Sequence, residues 1–311
     1  MISVDALSKR FGQIRAVDRI SFRVARGEMF GFLGPNGAGK TTTISMVCGL
    51  LRPDEGTVLI GEFNLWESPK AAKRLLGLVP QEAAFYEEFS ARENLLFWGG
   101  LYGAPRAELK KSVDAILERV GLAERAREPV SRFSGGMKRR LNLAIGLVHR
   151  PQVLLLDEPT VGIDPQARNN ILDIIREMAR EGTTILFTTH HLEEAEKLCD
   201  RIAIMDHGKV IALGTPRELI ASIGVEHVVE FSAGSAAKPL DISALRRMEG
   251  VRDVRGENGS VQMQVTQLHR AVPALLDELS RQGVPLTELR THSASLEDVF
   301  VTLTGRHLRD E

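Results

Sequence analysis

The chain of 311 residues is 43% hydrophobic and 26% charged, with a formal net charge of −1, the balance of an ordinary folded protein with a full core. That length suggests two domains, or one large and one small, and the neutral balance speaks against a polyanionic partner such as nucleic acid. Cys48 and Cys199 supply neither a disulfide framework nor metal-ligand spacing, and no stretch approaches the ~18 uninterrupted apolar residues of a membrane span.

Met1-Ile2-Ser3-Val4-Asp5 lacks a basic segment followed by an apolar one, so the chain is expected to be cytoplasmic. Ile2, Val4 and Ala6 alternate with polar residues as in a half-buried strand. A second strand is predicted near residues 17–24, with Phe11 between the two. An aromatic ring in that place can stack on a purine face or cover a sheet edge. Residues 29–33 form an apolar strand, residues 34–39 a glycine-rich turn, and residues 40–47 open a helix. Residues 34–41 fit the phosphate-loop pattern G-x-x-x-x-G-K-[ST]. Gly34, Gly37 and Gly39 free the backbone so that successive N–H groups form an anion nest. The helix that follows adds the positive end of its dipole. Lys40 brings an ammonium to terminal phosphates, and Thr41 brings a hydroxyl to Mg²⁺.

A strand over residues 56–60 follows, then the apolar run 75–79, which ends at Gln81, whose carbonyl oxygen can reach a metal or water. Residues 91–148 carry a helical pattern and suggest an inserted helical subdomain, about 88–150. Within it, Ser134-Gly135-Gly136 opens a helix, either as an ordinary N-cap or as a second anion site without a lysine of its own. Val153-Leu154-Leu155-Leu156 is a buried parallel strand ending in Asp157 and Glu158. An Asp here helps to hold Mg²⁺, and the adjacent Glu can deprotonate an attacking water. Asp164-Pro165 starts a helix as N-cap and first helical residue. The strand 184–189 ends at His190, where parallel sheets bind ligands and a histidine can hydrogen-bond a terminal phosphate. His207 sits in the turn of a hairpin.

Past Gly214-Thr215-Pro216 the composition changes. Strands at 226–232, 251–256, 260–265 and 285–291, with helices at 241–249 and 268–282, give the order β-α-β-β-α-β, followed by a last helix at 295–304. That order suggests a small ferredoxin-like unit with no catalytic constellation. The turn Glu257-Asn258-Gly259 joins its two middle strands.

Taken together, residues 1–220 resemble the ATP-binding subunit of an ABC transporter. Gly34, Pro35, Asn36, Gly37, Ala38, Gly39, Lys40, Thr41 and Thr42 match its Walker A motif. Gln81 matches the Q-loop, and Ser134, Gly135 and Gly136 match the signature. Asp157 and Glu158 match Walker B with the catalytic Glu, Asp164 the D-loop, His190 the switch histidine, and Phe11 the adenine-stacking aromatic. Phe133 and Met137 depart from the commonest Leu and Gln of the signature, and Phe11 stands where Tyr is usual. The signature variant and the tail around Leu296-Glu297-Asp298-Val299-Phe300 look like the branch typified by daunorubicin-resistance exporters.

The resemblance implies an α/β P-loop NTPase fold. A mostly parallel central sheet, an antiparallel β subdomain and a helical subdomain would be followed by a small α+β domain over 221–311. It implies ATP and Mg²⁺ as ligands, with Lys40, Gln81, Glu158 and His190 in catalysis and Thr41, Gln81 and Asp157 on the metal. It also implies a second ATP-binding subunit, identical or not, whose Ser134 and Gly136 close over the bound ATP. A separate membrane permease would hold the pair on the inner face of the cell membrane and export a drug, antibiotic or lipid-like compound. Phe85, Tyr86 and Phe89, just after Gln81, are candidates for docking that permease. Two other classes are weighed. A soluble ABC ATPase of translation or DNA maintenance usually has two nucleotide-binding domains or a long coiled-coil insertion, and neither is present. A small-molecule P-loop kinase leaves Ser134-Gly135-Gly136 and His190 without a role.

Overall fold

The computed structural model describes residues 1–103, 105–233, 240–257 and 260–305. These fall into two units, Met1–Thr215 and a second that begins at Pro216. In the first, β1 (Ile2–Phe11) and β2 (Ile14–Val24) pair antiparallel. Both strands are longer than their alternation predicts. Phe11 is therefore not in a loop but ends β1, opposite Ile14. The physical reason is Gly12, whose φ of +58° lets the chain reverse in two residues.

β3 (Met29–Leu33) is buried at every position and runs into the glycine loop and α1 (Lys40–Val47). β4 (Glu55–Ile60) and β5 (Phe63–Asn64) complete an antiparallel sheet of order β2-β1-β4-β5. Next come α2 (Pro69–Arg74) and β6 (Leu76–Val79). The helical insertion holds α3 (Ala91–Gly100), α4 (Arg106–Arg119) and α5 (Gly135–Leu147). α3 starts at a capping box in which Ser90 and Glu93 satisfy each other's backbone N–H groups. β7 (Val153–Asp157), α6 (Pro165–Arg180), β8 (Thr184–Thr189), α7 (Leu192–Leu198), β9 (Arg201–Asp206) and β10 (Lys209–Gly214) follow.

The second sheet has the order β10-β9-β3-β8-β7-β6. Its strands are parallel except for the β9–β10 hairpin, whose turn carries His207. β3, β7 and β8 are buried on both faces, which explains their unbroken apolar runs. Phe22 of β2 meets Phe30 and Phe32 of β3 at centroid distances of 5.5 and 4.9 Å, joining the two sheets in one core. Each such fully buried side chain contributes about 1.5–3 kcal/mol. The apolar face of α6, Ile171, Ile174, Ile175 and Met178, has helical spacing and is likewise buried. These features make the first unit a P-loop α/β fold with an antiparallel β subdomain and a helical subdomain.

The parallel sheet decides where the site lies. Its register sets Leu33 beside Thr189, Asp157 beside Thr188, and Val79 beside Leu156. Four loops therefore leave neighbouring strands at one edge: residue 34 onward after β3, 190 after β8, 158 after β7 and 80 after β6. That carboxyl edge is where open parallel sheets bind ligands.

The second unit opens with α8 (Pro216–Ser222), ahead of the expected boundary at 221, because α8 packs against the last helix of this unit. β11 (His227–Ala233), α9 (Ile242–Arg246), β12 (Val251–Glu257), β13 (Ser260–Val265), α10 (Leu268–Gln282), β14 (Leu286–Ser293) and α11 (Leu296–Thr304) complete it. α9 ends earlier than the predicted helix 241–249. The antiparallel sheet has the order β12-β13-β11-β14. Val229, Phe231 and Met263 of the sheet pack with Leu275 and Leu279 of α10 in a core of its own. Asn258 and Gly259, at the expected turn, lie outside the described residues.

Candidate functional site

The loop after β3 is shaped by close backbone approach. A Cβ on Gly34 would lie 2.2 Å from the Met205 carbonyl oxygen, and one on Gly39 would lie 2.4 Å from that of Ala16. Gly39 also has φ +105° and caps α1, so no other residue fits there without strain. Asn36 and Gly37 are exposed at the tip, whereas Lys40 is only 4% exposed. The Lys40 ammonium donates to the Gly34 and Pro35 carbonyls at 2.7 and 3.0 Å. Its third partner is the Glu158 carboxylate, at 3.2 Å.

Asp157 and Glu158, at the end of β7, have opposite electrostatics. Thr188 donates to Asp157 Oδ1 at 2.7 Å and Thr41 at 3.3 Å. Burial nevertheless raises the Asp157 carboxyl above its ordinary value, and the Glu158 charge raises it further. Burial also pushes Glu158 up, but the His190 ring and the Lys40 ammonium outweigh it and hold that carboxyl below its ordinary value. His190 Nδ1 lies 3.2 Å from Glu158 Oε2. One carboxylate thus joins the lysine of the β3 loop to the histidine after β8.

The backbone of Glu158 is left-handed, with φ +46°, a costly conformation for a side chain of this kind. Both of its backbone polar groups are held by side chains. Its N–H donates to Thr188 Oγ1 at 3.0 Å, and its carbonyl accepts from Arg139 Nη2 at 2.5 Å. Arg139, on α5, also donates to the Pro159 carbonyl at 2.7 Å and the Gln81 carbonyl at 2.6 Å. Gln81 is thereby tied by its backbone to the Glu158 loop, while its side chain is exposed.

Other expected residues stand apart from this cluster. Ser134 caps α5, accepting from the Met137 N–H at 3.3 Å, and with Gly135 it is exposed. Gly136 is buried for packing: a Cβ there would lie 2.7 Å from that of Ala167 on α6. Asp164 caps α6, accepting from the Ala167 N–H at 2.9 Å. Phe11 is half exposed, with the Lys9 ammonium 5.9 Å from its ring centre. Among the described residues, no hydrogen bond links Ser134, Asp164 or Phe11 to Lys40 or Glu158.

Arg139, Thr188 and Glu194 carry much of the site and have no place in the motif reading. Glu194 is buried and accepts from Thr160 at 3.0 Å and Thr189 at 3.1 Å, and it pairs with Arg168. It thus anchors the loop after β7 to the strand before His190.

Known proteins match the chain along its whole length. The family described as "ABC transporter" matches residues 17–161, and the "ATP-binding protein DrrA1-3-like, C-terminal domain" matches residues 214–304. The linearmycin resistance ATP-binding protein LnrL of Bacillus subtilis is 41% identical over 312 residues, covering 100% of both chains. The daunorubicin resistance ATP-binding protein DrrA3 of Streptomyces coeruleorubidus is 40% identical, covering 98% of this chain and 96% of its own. The Nod factor export ATP-binding protein I of Ralstonia nicotianae is 41% identical, covering 100% and 95%. Among solved structures, an ATP-binding subunit of an ABC transporter aligns with a TM-score of 0.66 at 32% identity, over 72% of this chain and 93% of that one. Members of this family bind adenine nucleotide, dimerise and work with a membrane permease. With the loop, the paired carboxylates and the histidine assembled on one sheet edge, the chain belongs to the ATP-binding subunits of ABC transporters, ATPases whose hydrolysis is coupled to transport.

Proposed function

We propose that this chain drives the outward transport of a hydrophobic drug, antibiotic or lipid-like compound through a separate permease, as one of two identical ATP-binding subunits. The observation that carries the chemistry is the buried Lys40–Glu158 pair with the partly exposed His190 beside it, at the carboxyl edge of the parallel sheet. Lys40 and the N–H groups of residues 36–42 take the phosphates. Anionic phosphate displaces Glu158 as the partner of Lys40, which frees the carboxylate to accept a proton from the attacking water. His190 orients Glu158 and hydrogen-bonds the terminal phosphate. Phe11 stacks on the adenine. Ser134, Gly135, Gly136 and Asp164 serve the ATP held by the other subunit, in keeping with the exposure of Ser134, Gly135 and Asp164.

Thr41, Gln81 and Asp157 suit Mg²⁺. Thr41 Oγ1 and Asp157 Oδ1 are hard oxygen donors already 3.3 Å apart. Among the described residues no cluster of three His, Cys, Asp or Glu side chains could hold a metal. One carboxylate and a hydroxyl, completed by phosphate and water, is the donor set Mg²⁺ prefers. When bound, the ion neutralises charge on the phosphate oxygens.

The names of the relatives speak of resistance and export, which supports the outward direction. Among the described residues no helix is long and apolar enough to cross a membrane, and we assign the hold on the inner membrane face to the permease. We assign the motor to the first unit, Met1–Thr215, and assembly or regulation to the unit that begins at Pro216.

Glu158→Gln tests this reading, because it keeps size and hydrogen bonding but accepts no proton. The variant is expected to bind Mg-ATP without turnover, and to elute as a dimer with Mg-ATP and as a monomer without it. Adding Ser134→Arg should abolish the dimer. Turnover at the wild-type rate would refute Glu158 as the base. A variant that binds ATP but stays monomeric would replace the homodimer by a heterodimer, or by a dimer formed only on the permease.

A further inference from the structure

Arg139 makes hydrogen bonds unlike those of any other cation near the site. Its guanidinium belongs to a residue only 9% exposed and, among the described residues, has no carboxylate partner within hydrogen-bond distance. Its donors go to three backbone carbonyls on two loops: Gln81 after β6, and Glu158 and Pro159 after β7. A planar fork of this kind fixes its acceptors relative to one another, which a flexible ammonium does not.

The helix that carries Arg139 is itself tightly seated. Arg139, Asn142 and Gly146 occupy one face of α5 at helical spacing. A Cβ on Gly77 of β6 would lie 2.2 Å from the Gly146 carbonyl, so helix and strand are in backbone contact. Asn142 grips the same loop as Arg139, donating to the Pro80 carbonyl at 2.9 Å and accepting from the Ala84 N–H at 3.2 Å. Among the described residues, Arg139 alone has side-chain hydrogen bonds to both loops.

We infer that Arg139 is a positioning residue that holds the left-handed Glu158 peptide and makes the Gln81 loop and the Glu158 loop move as one body. The inference rests on Glu158 being the general base. With Thr188 on its N–H and Arg139 on its carbonyl, Glu158 is kept in a backbone conformation that aims its carboxylate between Lys40 and His190. The signature helix α5 thereby acts on the base directly, through a side chain five residues after its cap Ser134, whereas Arg140 is turned to the Val120 and Gly121 carbonyls. A shift of the Gln81 loop is passed to the base through the same guanidinium.

The test uses the full chain with Arg139→Gln and Arg139→Lys, and Asn142→Ala for comparison. Arg139→Gln should lower kcat by about a hundredfold, the cost of misplacing a reacting group by an ångström. Its affinity for a fluorescent ATP analogue should change by less than about threefold, since Lys40 and the glycine loop are untouched. Amide hydrogen exchange supplies a readout apart from turnover. In Arg139→Gln, protection should fall together in peptides covering residues 80–86 and 157–162, and in Asn142→Ala in the first alone. Arg139→Lys, which keeps the charge but not the fork, should give an intermediate kcat. Should Arg139→Gln fail to fold, the lysine variant decides: a wild-type kcat overturns the inference. So does Arg139→Gln with kcat within about twofold of wild type, or with exchange raised evenly across the first unit. If Glu158→Gln itself hydrolyses ATP at full rate, the general-base reading has failed. If it is inactive while Arg139→Gln is not, only the Arg139 inference has failed.

Discussion

Lys40 and Glu158 form a buried ion pair, 3.2 Å from Nζ to Oε1, although they lie in different loops and are 4% and 5% exposed. Neither charge is left uncompensated. The lysine also has two loop carbonyls, and the other carboxylate oxygen has His190. Removing one partner from such a pair exposes the other to the cost of burial.

Lys40→Ala should therefore act on both chemistry and stability. Loss of the ammonium should lower ATP hydrolysis by at least about a hundredfold, measured as phosphate release from protein free of contaminating ATPase. It should also lower the melting temperature at neutral pH. Glu158 is held below its ordinary value, so its contribution to stability is present above the unfolded value of 4.5 and is lost as pH falls through its lower folded value. The melting gap between wild type and Lys40→Ala should narrow in that acid range.

Asp157→Asn should behave oppositely. Burial raises Asp157 above 3.8, so its ionised form opposes folding at neutral pH. An Asn of the same shape still accepts from Thr188 and Thr41. The substitution should raise the melting temperature without nucleotide by about 1–3 °C while ATP hydrolysis is lost. The gain should be fullest at neutral pH and shrink as pH falls through the folded value of Asp157.

The motifs were legible because phosphate chemistry demands particular residue types at fixed spacing. Gly34, Lys40, Asp157, Glu158 and His190 could be read, and the parallel strands that bring them together follow from unbroken apolar runs such as Val153-Leu154-Leu155-Leu156. Arg139 was not legible, because its partners are carbonyls, which every residue has. They lie 58, 20 and 19 residues away. That Phe11 ends β1 was not legible for a local reason: a strand that leaves the core loses its alternation, so β1 runs on after the pattern stops. In the second unit the alternation of strands and helices was plain, since each strand has one face toward a single core.

The glycines of the phosphate loop should differ sharply in tolerance. Gly39→Ala combines φ +105° with a Cβ 2.4 Å from the Ala16 carbonyl, and should cost more than about 2 kcal/mol and abolish binding of a fluorescent nucleotide. Gly37 has φ +77° but open space around a Cβ. Gly37→Asn, a residue that tolerates the left-handed region, should cost about 1 kcal/mol or less by thermal melting.

Tyr86 is 44% exposed in a cluster with Phe89, Phe97 and Trp98, and its backbone is held by Asn94 through bonds of 2.8 and 2.9 Å. The ring is available while the chain beneath it is fixed. Tyr86→Ala should lower the melting temperature by less than about 3 °C and leave the ATPase of the isolated chain nearly unchanged. Co-purification with the permease should fall. Unchanged association and transport would remove this cluster from the docking surface.

The Thr188 hydroxyl has one proton and two acceptors in reach, Asp157 Oδ1 at 2.7 Å and the Leu156 carbonyl at 3.3 Å. One of its oxygen lone pairs accepts from the Glu158 N–H. The hydroxyl is thus a swivel. When Asp157 turns toward another partner, the proton can rotate to Leu156 and leave no orphaned donor, while the hold on Glu158 does not slacken. A carboxylate can then be recruited and returned in every cycle without unsettling its neighbour. Valine at this position would keep the shape and lose the swivel.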